Sequence, residues 1–434
     1  ENNPALYVSR PTTRFEPRDT MVKVVNGLGS ETDISYANLT NKDIYRRDSG
    51  SRNALNYGRG SPVVDFIASS YVVSKVSSSS PVAGNPAAKA SLYYRYAGGR
   101  MQAGGRGFLG FREMITIDPN QSGGYVATTI SYAQNFPFVG VPTQTVKAAF
   151  GGQSYAVPAC LTQAITNSCF ATPGQAFPAI GGSAFSTNNQ IWEVAPASLA
   201  SQVPLHVRTA GTEEALRDPY TGAQTRKTAT TFTYTTNGNV SQTIVDTFNG
   251  SEGAWAVRLT TDNTYADDAA KWRLGRLTSS TITHQRPGQT PVVRTVGFSY
   301  DMGGAATGLL NEERTQPGGG ASMALTKTYT LDQYGNKVVA TTCAAPATSC
   351  SISGFQFHPT TLDAVKRYSR VEYDALGRFP VATIEPFWTD GGGEERQTYR
   401  VLQRNVFGDP TDAIDVNNVR TFAVKGALGR DYFG

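Results

Sequence analysis

Three kinds of residue in this sequence have the types and spacing for chemistry: histidines, adjacent carboxylates and paired cysteines. The histidines are His206, His284 and His358, far apart, each in a strand-like or loop setting without a local acid or metal partner. A histidine acts as base or ligand where a neighbour orients it, so a structural role is the expectation for all three. Adjacent carboxylates occur at Asp267-Asp268, Glu312-Glu313 and Glu394-Glu395. A glycosidase needs two carboxyl groups flanking one bond, whereas neighbours on a strand point to opposite faces. An acidic pair assembled from distant strands stays open as an alternative. Neither a Gly-x-Ser-x-Gly elbow nor a His-Glu-x-x-His helix is present, so a non-enzyme without cofactor or metal is expected.

The four cysteines form two near pairs, Cys160 with Cys169 and Cys343 with Cys350, in Gly-, Ser-, Thr- and Pro-rich surroundings. Two local pairs suggest disulfides stapling loop tips, and hence an oxidising, extracytoplasmic setting. Four unpaired thiols are the alternative. Zinc is disfavoured because neither spacing is Cys-x-x-Cys and histidine is scarce.

The stretch Gly98 to Phe111 has glycine at six of its fourteen positions, among them Gly105, Gly107 and Gly110 beside Arg106 and Phe108. Glycine-rich turns expose amides to phosphate, but no Gly-Lys-Ser/Thr and no helix pattern follows. A close-packed bulge is expected, neither strand nor helix, with Phe108, Leu109 and Phe111 buried and Arg106 bonded to carbonyls. The aromatic residues Tyr93, Tyr94, Tyr96, Trp192, Trp255, Trp272 and Trp388 offer a sugar- or protein-binding face. Packing between hairpin layers is the plainer role, and Trp388, between Pro386 and Gly391, is expected to be the most exposed.

The elements that would position these residues are strands. Hydrophobic residues make up 39% of the chain, below the usual globular share, while 44 Gly, 21 Tyr and 20 Phe favour strands joined by tight turns. A length of 434 residues exceeds what one core serves, so several modules or an elongated repeat is expected. Basic and acidic residues, 39 against 34, are interspersed, which argues against a nucleic-acid binder. No apolar run approaches the roughly eighteen residues of a membrane helix. The opening Glu1-Asn2-Asn3 carries the expectation of a processed or excised start.

A strand region is expected over 1–149, with a hairpin around Asn26-Gly27. An irregular cysteine-bearing insertion is expected over 150–190, and a β-hairpin region over 191–434, truncated at its C-terminal end. Its organising motif is Tyr373-Asp374-Ala375-Leu376-Gly377-Arg378. Tyr373 ends a strand, Asp374 bonds backbone amides, Gly377 takes the positive φ of the turn, and Arg378 starts the return strand. Eroded copies lie at Tyr234 to Gly238, with Thr for Asp, and at Leu331-Asp332 to Gly335; others end at Gly408 and Gly429. The glycine gaps of 97, 42, 31 and 21 fit a loose period only.

This motif resembles the YD repeat of rearrangement-hotspot (RHS) proteins, insecticidal toxin-complex B subunits and, more distantly, teneurins. Asn26 to Gly29 with Tyr36, Gly105 to Phe111, Phe136 to Gly140, Trp272 to Thr278, and Thr307 to Leu310 with Pro317-Gly318 resemble the middle region of the B subunits, in that order. The resemblance implies an antiparallel hairpin ribbon wound spirally into a hollow shell that encloses a toxic polypeptide. Full shells need more ribbon than this, so a portion of a larger protein or a minimal relative is expected. The implied role is a secreted or surface shell segment that encloses or presents another polypeptide or pairs with a copy of itself. An extracellular adhesion or carbohydrate-binding module, meeting a cell-surface glycan or receptor, is the alternative; a β-scaffold glycosidase is the third.

Overall fold

The computed structural model describes residues 20–47, 63–66, 68–119, 124–151, 183–195, 205–250, 253–301, 308–318, 323–344, 366–389, 392–425 and 431–433. Every regular element among them is a β-strand. The chain divides into two compact units, Glu1–Phe232 with Val245–Val257, and Thr233–Ile244 with Arg258–Gly434.

In the first unit, Lys23–Val25 and Glu31–Asn38 form a hairpin. From there Glu31–Asn38, Tyr71–Ser79, Lys89–Ala97, Glu113–Asp118, Gly124–Tyr132 and Pro142–Gly151 each pair antiparallel with the strand before. Ser183–Val194, Val207–Arg217 and Gln224–Tyr234 continue the same pattern. The strand expected at 191–194 thus begins earlier, at Ser183. Alternation places Ile115, Ile117, Tyr125 and Ala127 on one buried face. A compact core of Leu39, Ile44, Tyr45 and Tyr96 takes in Phe66 and Phe111 at its margin.

The glycine-rich block differs from the irregular bulge expected of it. Arg100–Gln102 and Gly107–Phe108 are short paired strands, and Val63–Asp65 completes a three-stranded sheet with them. Glycine permits this because Gly105 and Gly107 both take positive φ at the connecting turn. Leu109 is buried as expected, but Phe108 is 46% exposed while touching Phe66 and Phe111. Arg106 lies over the Phe136 ring, 3.5 Å from its centroid. The block is anchored instead by Gln134, whose side-chain amide donates to the carbonyls of Gly98 and Gly110 at 2.7 and 2.8 Å. Tyr45 adds a second clasp, donating to Phe66 O and accepting from Gly99 N.

In the second unit, Val257–Asp268 and Arg273–Gln285 pair first, followed by Val292–Tyr300, Leu310–Thr315, Leu325–Leu331 and Lys337–Ala344. Lys366–Tyr373, Pro380–Thr389, Gly392–Arg404, Pro410–Asp415 and Arg420–Phe422 complete the ladder, each antiparallel to its predecessor. A separate ribbon joins Val424–Lys425 to Asp431–Phe433. Trp272 is not part of a strand: the backbone turns at Ala269–Trp272, and the strand begins at Arg273.

Candidate functional site

The residues singled out by the motif come together as hairpin tips, and the tips obey one hydrogen-bond rule. At Asp374, the carboxylate Oδ1 accepts the Arg378 amide at 2.6 Å and the Phe379 amide at 3.2 Å. Gly377 N donates to Asp374 O at 2.8 Å, with Gly377 at φ 64°. Asp332 repeats the arrangement, accepting from Tyr334 N and Asn336 N at 2.8 Å each, with Gly335 at φ 87°. Thr235 does so with a hydroxyl, accepting Asn239 N at 3.1 Å ahead of Gly238 at φ 83°. Asn405 does so with an amide oxygen, accepting Phe407 N and Asp409 N ahead of Gly408 at φ 91°.

This is a type I turn closed by a glycine bulge, and the side-chain oxygen of its first residue binds the amides that the turn leaves open. Two further turns carry the same bonding: one at the hairpin expected around Asn26-Gly27, which was not marked as a copy of the motif, and one after Asp415. Asn26 accepts Leu28 N and Ser30 N ahead of Gly29 at φ 80°. Asp415 accepts Asn417 N and Val419 N, with Asn418 at φ 60° in the glycine place. Gly429 lies outside the described residues.

Arg378 does not open the return strand. The strand resumes at Pro380, because the register slips between Glu372 and Tyr373, and Tyr373 pairs with Pro380. Arg378 instead folds back on Asp374 Oδ2, with Nε and Nη2 each at 3.2 Å. Backbone amide bonding from Arg378, opposed by partial burial, holds the Asp374 carboxyl below the ordinary range, with help from Phe379 N and the Arg378 guanidinium. At Asp332 burial works against ionisation, yet the Asn336 side chain and the turn amides bring the carboxyl down as well.

Successive tips of the second unit are stacked, and glycine is what lets them approach. A β-carbon on Gly275 would stand 2.6 Å from the Asn239 side chain, and one on Gly335 would stand 2.6 Å from Leu309 Cδ1. A β-carbon on Gly308 would meet Arg276 and Arg273; one on Gly377 would meet the Tyr334 ring, and one on Gly408 the Phe379 ring. The Asn336 side-chain amide also donates to Gly377 O at 2.8 Å, tying one tip to the next. The 97-residue gap in the sequence motif is thereby filled by Gly275, just inside the strand Arg273–Gln285, and by Gly308, neither of which has the Asp-x-x-Gly spelling. Beside the tips, Tyr334, Val339, Arg370, Glu372 and Tyr373 line an open groove of about 510 Å³.

The acidic residues here are spent on structure. Asp332 and Asp374 hold turn amides, while Arg370 bridges Glu372 at 3.2 Å and Glu395 at 2.8 Å. Asp267 accepts Gly275 N and the Asn237 amide, and Asp268 accepts Lys271 N. Glu312 binds Arg314, while Glu313 accepts the Tyr329 hydroxyl at 2.9 Å. The side chain of Glu394 lies outside the described residues. Among the described residues no group of three His, Cys, Asp or Glu could hold a metal ion. His206 and His284 are exposed; His358 lies outside the described residues.

Of the cysteines only Cys343 is described, 2% exposed in the strand Lys337–Ala344. Cys160, Cys169 and Cys350 lie outside the described residues. The aromatic residues divide sharply. Tyr96 is buried, which pushes its hydroxyl up to about 12, and Trp192 donates its indole N–H to Pro142 O at 2.7 Å. Trp272 is 81% exposed. The side chain of Trp388 lies outside the described residues.

An all-β ladder of antiparallel strands, with glycine tips stacked along one unit, defines the class of protein. Residues 5–138 match the family model described as the insecticide toxin TcdB middle/N-terminal region. The crystal structure of TcdB2-TccC3-TEV is similar with a TM-score of 0.54 at 10% identity, covering 93% of this chain and 23% of that one. That of TcdB2-TccC3 is similar at 0.53 and 9% identity, covering 93% and 24%. No individual curated protein matches in sequence. The chain therefore resembles the middle region of insecticidal toxin-complex B subunits, and spans about a quarter of the length of the structures it matches.

Proposed function

We propose that this chain is a wall segment of a secreted, RHS-type shell that encloses or presents another polypeptide. The observation that carries the reading is the ladder itself, which follows the fold of the TcdB2-TccC3 structures over 93% of its length. In such a wall the strands supply continuous backbone hydrogen bonding, and the stacked glycine tips hold one margin of the second unit in register. The carboxylates near the tips are committed to turns and guanidiniums, which favours a scaffold role over hydrolysis. Among the described residues no helix is long and apolar enough to cross a membrane.

The same setting accommodates the proposed Cys160–Cys169 and Cys343–Cys350 disulfides; support comes from Cys343 alone, which is buried and is not a free thiol. Each short loop would contribute about 2.5 kcal/mol by the chain-entropy account. Mass measurement of unreduced, alkylated protein checks this: two disulfides leave no alkylated cysteine, and four alkylated cysteines reject the pairing.

Enclosure is tested on the protein purified from its natural source with whatever polypeptide accompanies it. Trypsin is applied under native conditions and again after brief denaturation. Enclosure predicts a companion that survives the first digestion and disappears in the second. A companion cut equally in both overturns enclosure and leaves presentation; no companion at all overturns both.

A further inference from the structure

We propose that the hairpin tips of the second unit form an interface with a second copy of this chain, through a row of exposed apolar side chains. Tyr334, Leu376 and Phe407 each stand immediately before the left-handed glycine of their turn, at Gly335, Gly377 and Gly408. They are 54, 57 and 64% exposed. Turn positions of this kind ordinarily carry polar residues. The other two such turns of the second unit do so, with Asn237 and Asn417 in that place.

The row is continuous in space. Leu309 packs on Gly335, the Tyr334 ring on Gly377 and the Phe379 ring on Gly408, so the tips that carry these residues touch one after another along one margin. Leu309 and Val406 add exposed apolar surface to the same tips. The carboxylates beside them are bonded inside their own turns: Asp332 to Asn336, Asp374 to Arg378 and Asp409 to Asn405. Covering the margin therefore strands no unpaired carboxylate. A contiguous apolar patch with its polar groups already satisfied marks a protein contact.

The spacing of the row selects its partner. Neighbouring strands lie about 4.8 Å apart, so tips recur every two strands, about every 9.6 Å. An extended chain repeats one face about every 6.8 Å. A helix does so about every 5.4 Å, or about 10.8 Å over two turns, and neither keeps step over four tips. Another margin of the same ladder does. Turned end for end about a two-fold axis, the row of a second copy sets its side chains between those of the first, so the patch is self-complementary. Leu309, Tyr334, Leu376, Val406 and Phe407 expose apolar area of the same order as the roughly 800 Å² per partner of a standard interface.

The interface does not rest on the shell reading, since a ladder that encloses nothing can still dimerise by its margin. Sedimentation velocity of the whole protein across the micromolar range should show monomer and dimer in equilibrium. Leu376→Asn combined with Phe407→Asn gives both turns the residue that Asn237 supplies in a third, so the urea midpoint should match the parent. The dissociation constant should rise at least about tenfold. Tyr220→Ser, at an exposed tyrosine of the first unit, should dimerise like the parent. Benzoylphenylalanine in place of Leu376 should crosslink to the tips of a second copy, which reads the contact without relying on the double variant. A monomer at every concentration overturns the proposal. So does a dimer that the double variant leaves intact, one that Tyr220→Ser weakens equally, or a crosslink that lands away from the tips.

Discussion

The ring of Tyr334 occupies the space where a β-carbon on Gly377 would stand, 2.7 Å from the ring's Cγ, although the two residues are separated by a full pair of strands. One hairpin tip therefore lies on the next through a residue that has no side chain. Gly377→Ala must push the ring aside and also hold alanine at φ 64°. A loss of about 2–4 kcal/mol is expected from the two effects together. Gly29→Ala separates them, because Gly29 has φ 80° and nothing within 4 Å of an added β-carbon. That variant should lose only about 1 kcal/mol. Urea unfolding midpoints of the two variants decide the matter, and equal losses would mean that the ring contact contributes nothing.

Asp374→Asn retains an oxygen for the Arg378 and Phe379 amides, as Asn405 does in its own turn, but loses the charge facing Arg378. The Asp374 carboxyl titrates below the ordinary range in the folded chain. Its contribution is therefore present above the unfolded value, near pH 3.9, and is lost as pH falls through the lower folded value. The parent should exceed the variant in stability at pH 7, and the difference should shrink progressively below about pH 4. Urea midpoints from pH 7 to pH 2 measure it. A difference that stays constant with pH would show that the Asp374 charge plays no part.

The all-β class was legible because composition and turn residues pointed one way, and the tips at Gly238, Gly335, Gly377 and Gly408 were legible because a polar residue stands three places before each glycine. The stacking was not. What covers Gly377 is Tyr334, 43 positions earlier, and what covers Gly408 is Phe379; no local pattern encodes either distance. Gly275, just inside the strand Arg273–Gln285, and Gly308 were missed because Trp272 and Ala305, not a turn-forming polar residue, stand three places before them. Trp272 was read as packing between hairpin layers, and a left-handed, exposed tryptophan is something sequence gives no reason to expect. Phe108 looked like core for the same reason: an aromatic residue can stack on two rings and still face solvent.

Glu31 lies against two ammonium groups, Lys23 at 2.6 Å and Lys89 at 2.8 Å. Bonding to Lys23, then to Lys89, brings its carboxyl down to about 2. Carbon-13 NMR of the side-chain carboxyl should place its midpoint there at low ionic strength. Added salt should raise it, because both partners are at the surface and screened. Lys23→Ala should move it toward the ordinary range. A midpoint near the usual 4.3 at low salt would refute the paired geometry.

Gly211 is a glycine of a different kind. Its φ lies outside the left-handed range, so alanine meets no backbone objection, yet an added β-carbon would stand 2.7 Å from the Thr230 carbonyl oxygen on the adjoining strand. That oxygen belongs to the ladder and cannot swing away as a side chain can. The opposite strand slips register between Ile191 and Trp192, which face Gly211 and Thr209, so the chain is already crowded there. In an open strand, alanine for glycine would gain roughly 0.5–1 kcal/mol. Here the collision should outweigh that gain, and a net loss of about 1–3 kcal/mol is expected, as for other overpacked sites. Gly211→Ala unfolding midpoints measure the net effect. If alanine stabilises the protein, the strands can separate freely at this point, and the close approach of Gly211 to Thr230 is not a constraint on the ladder.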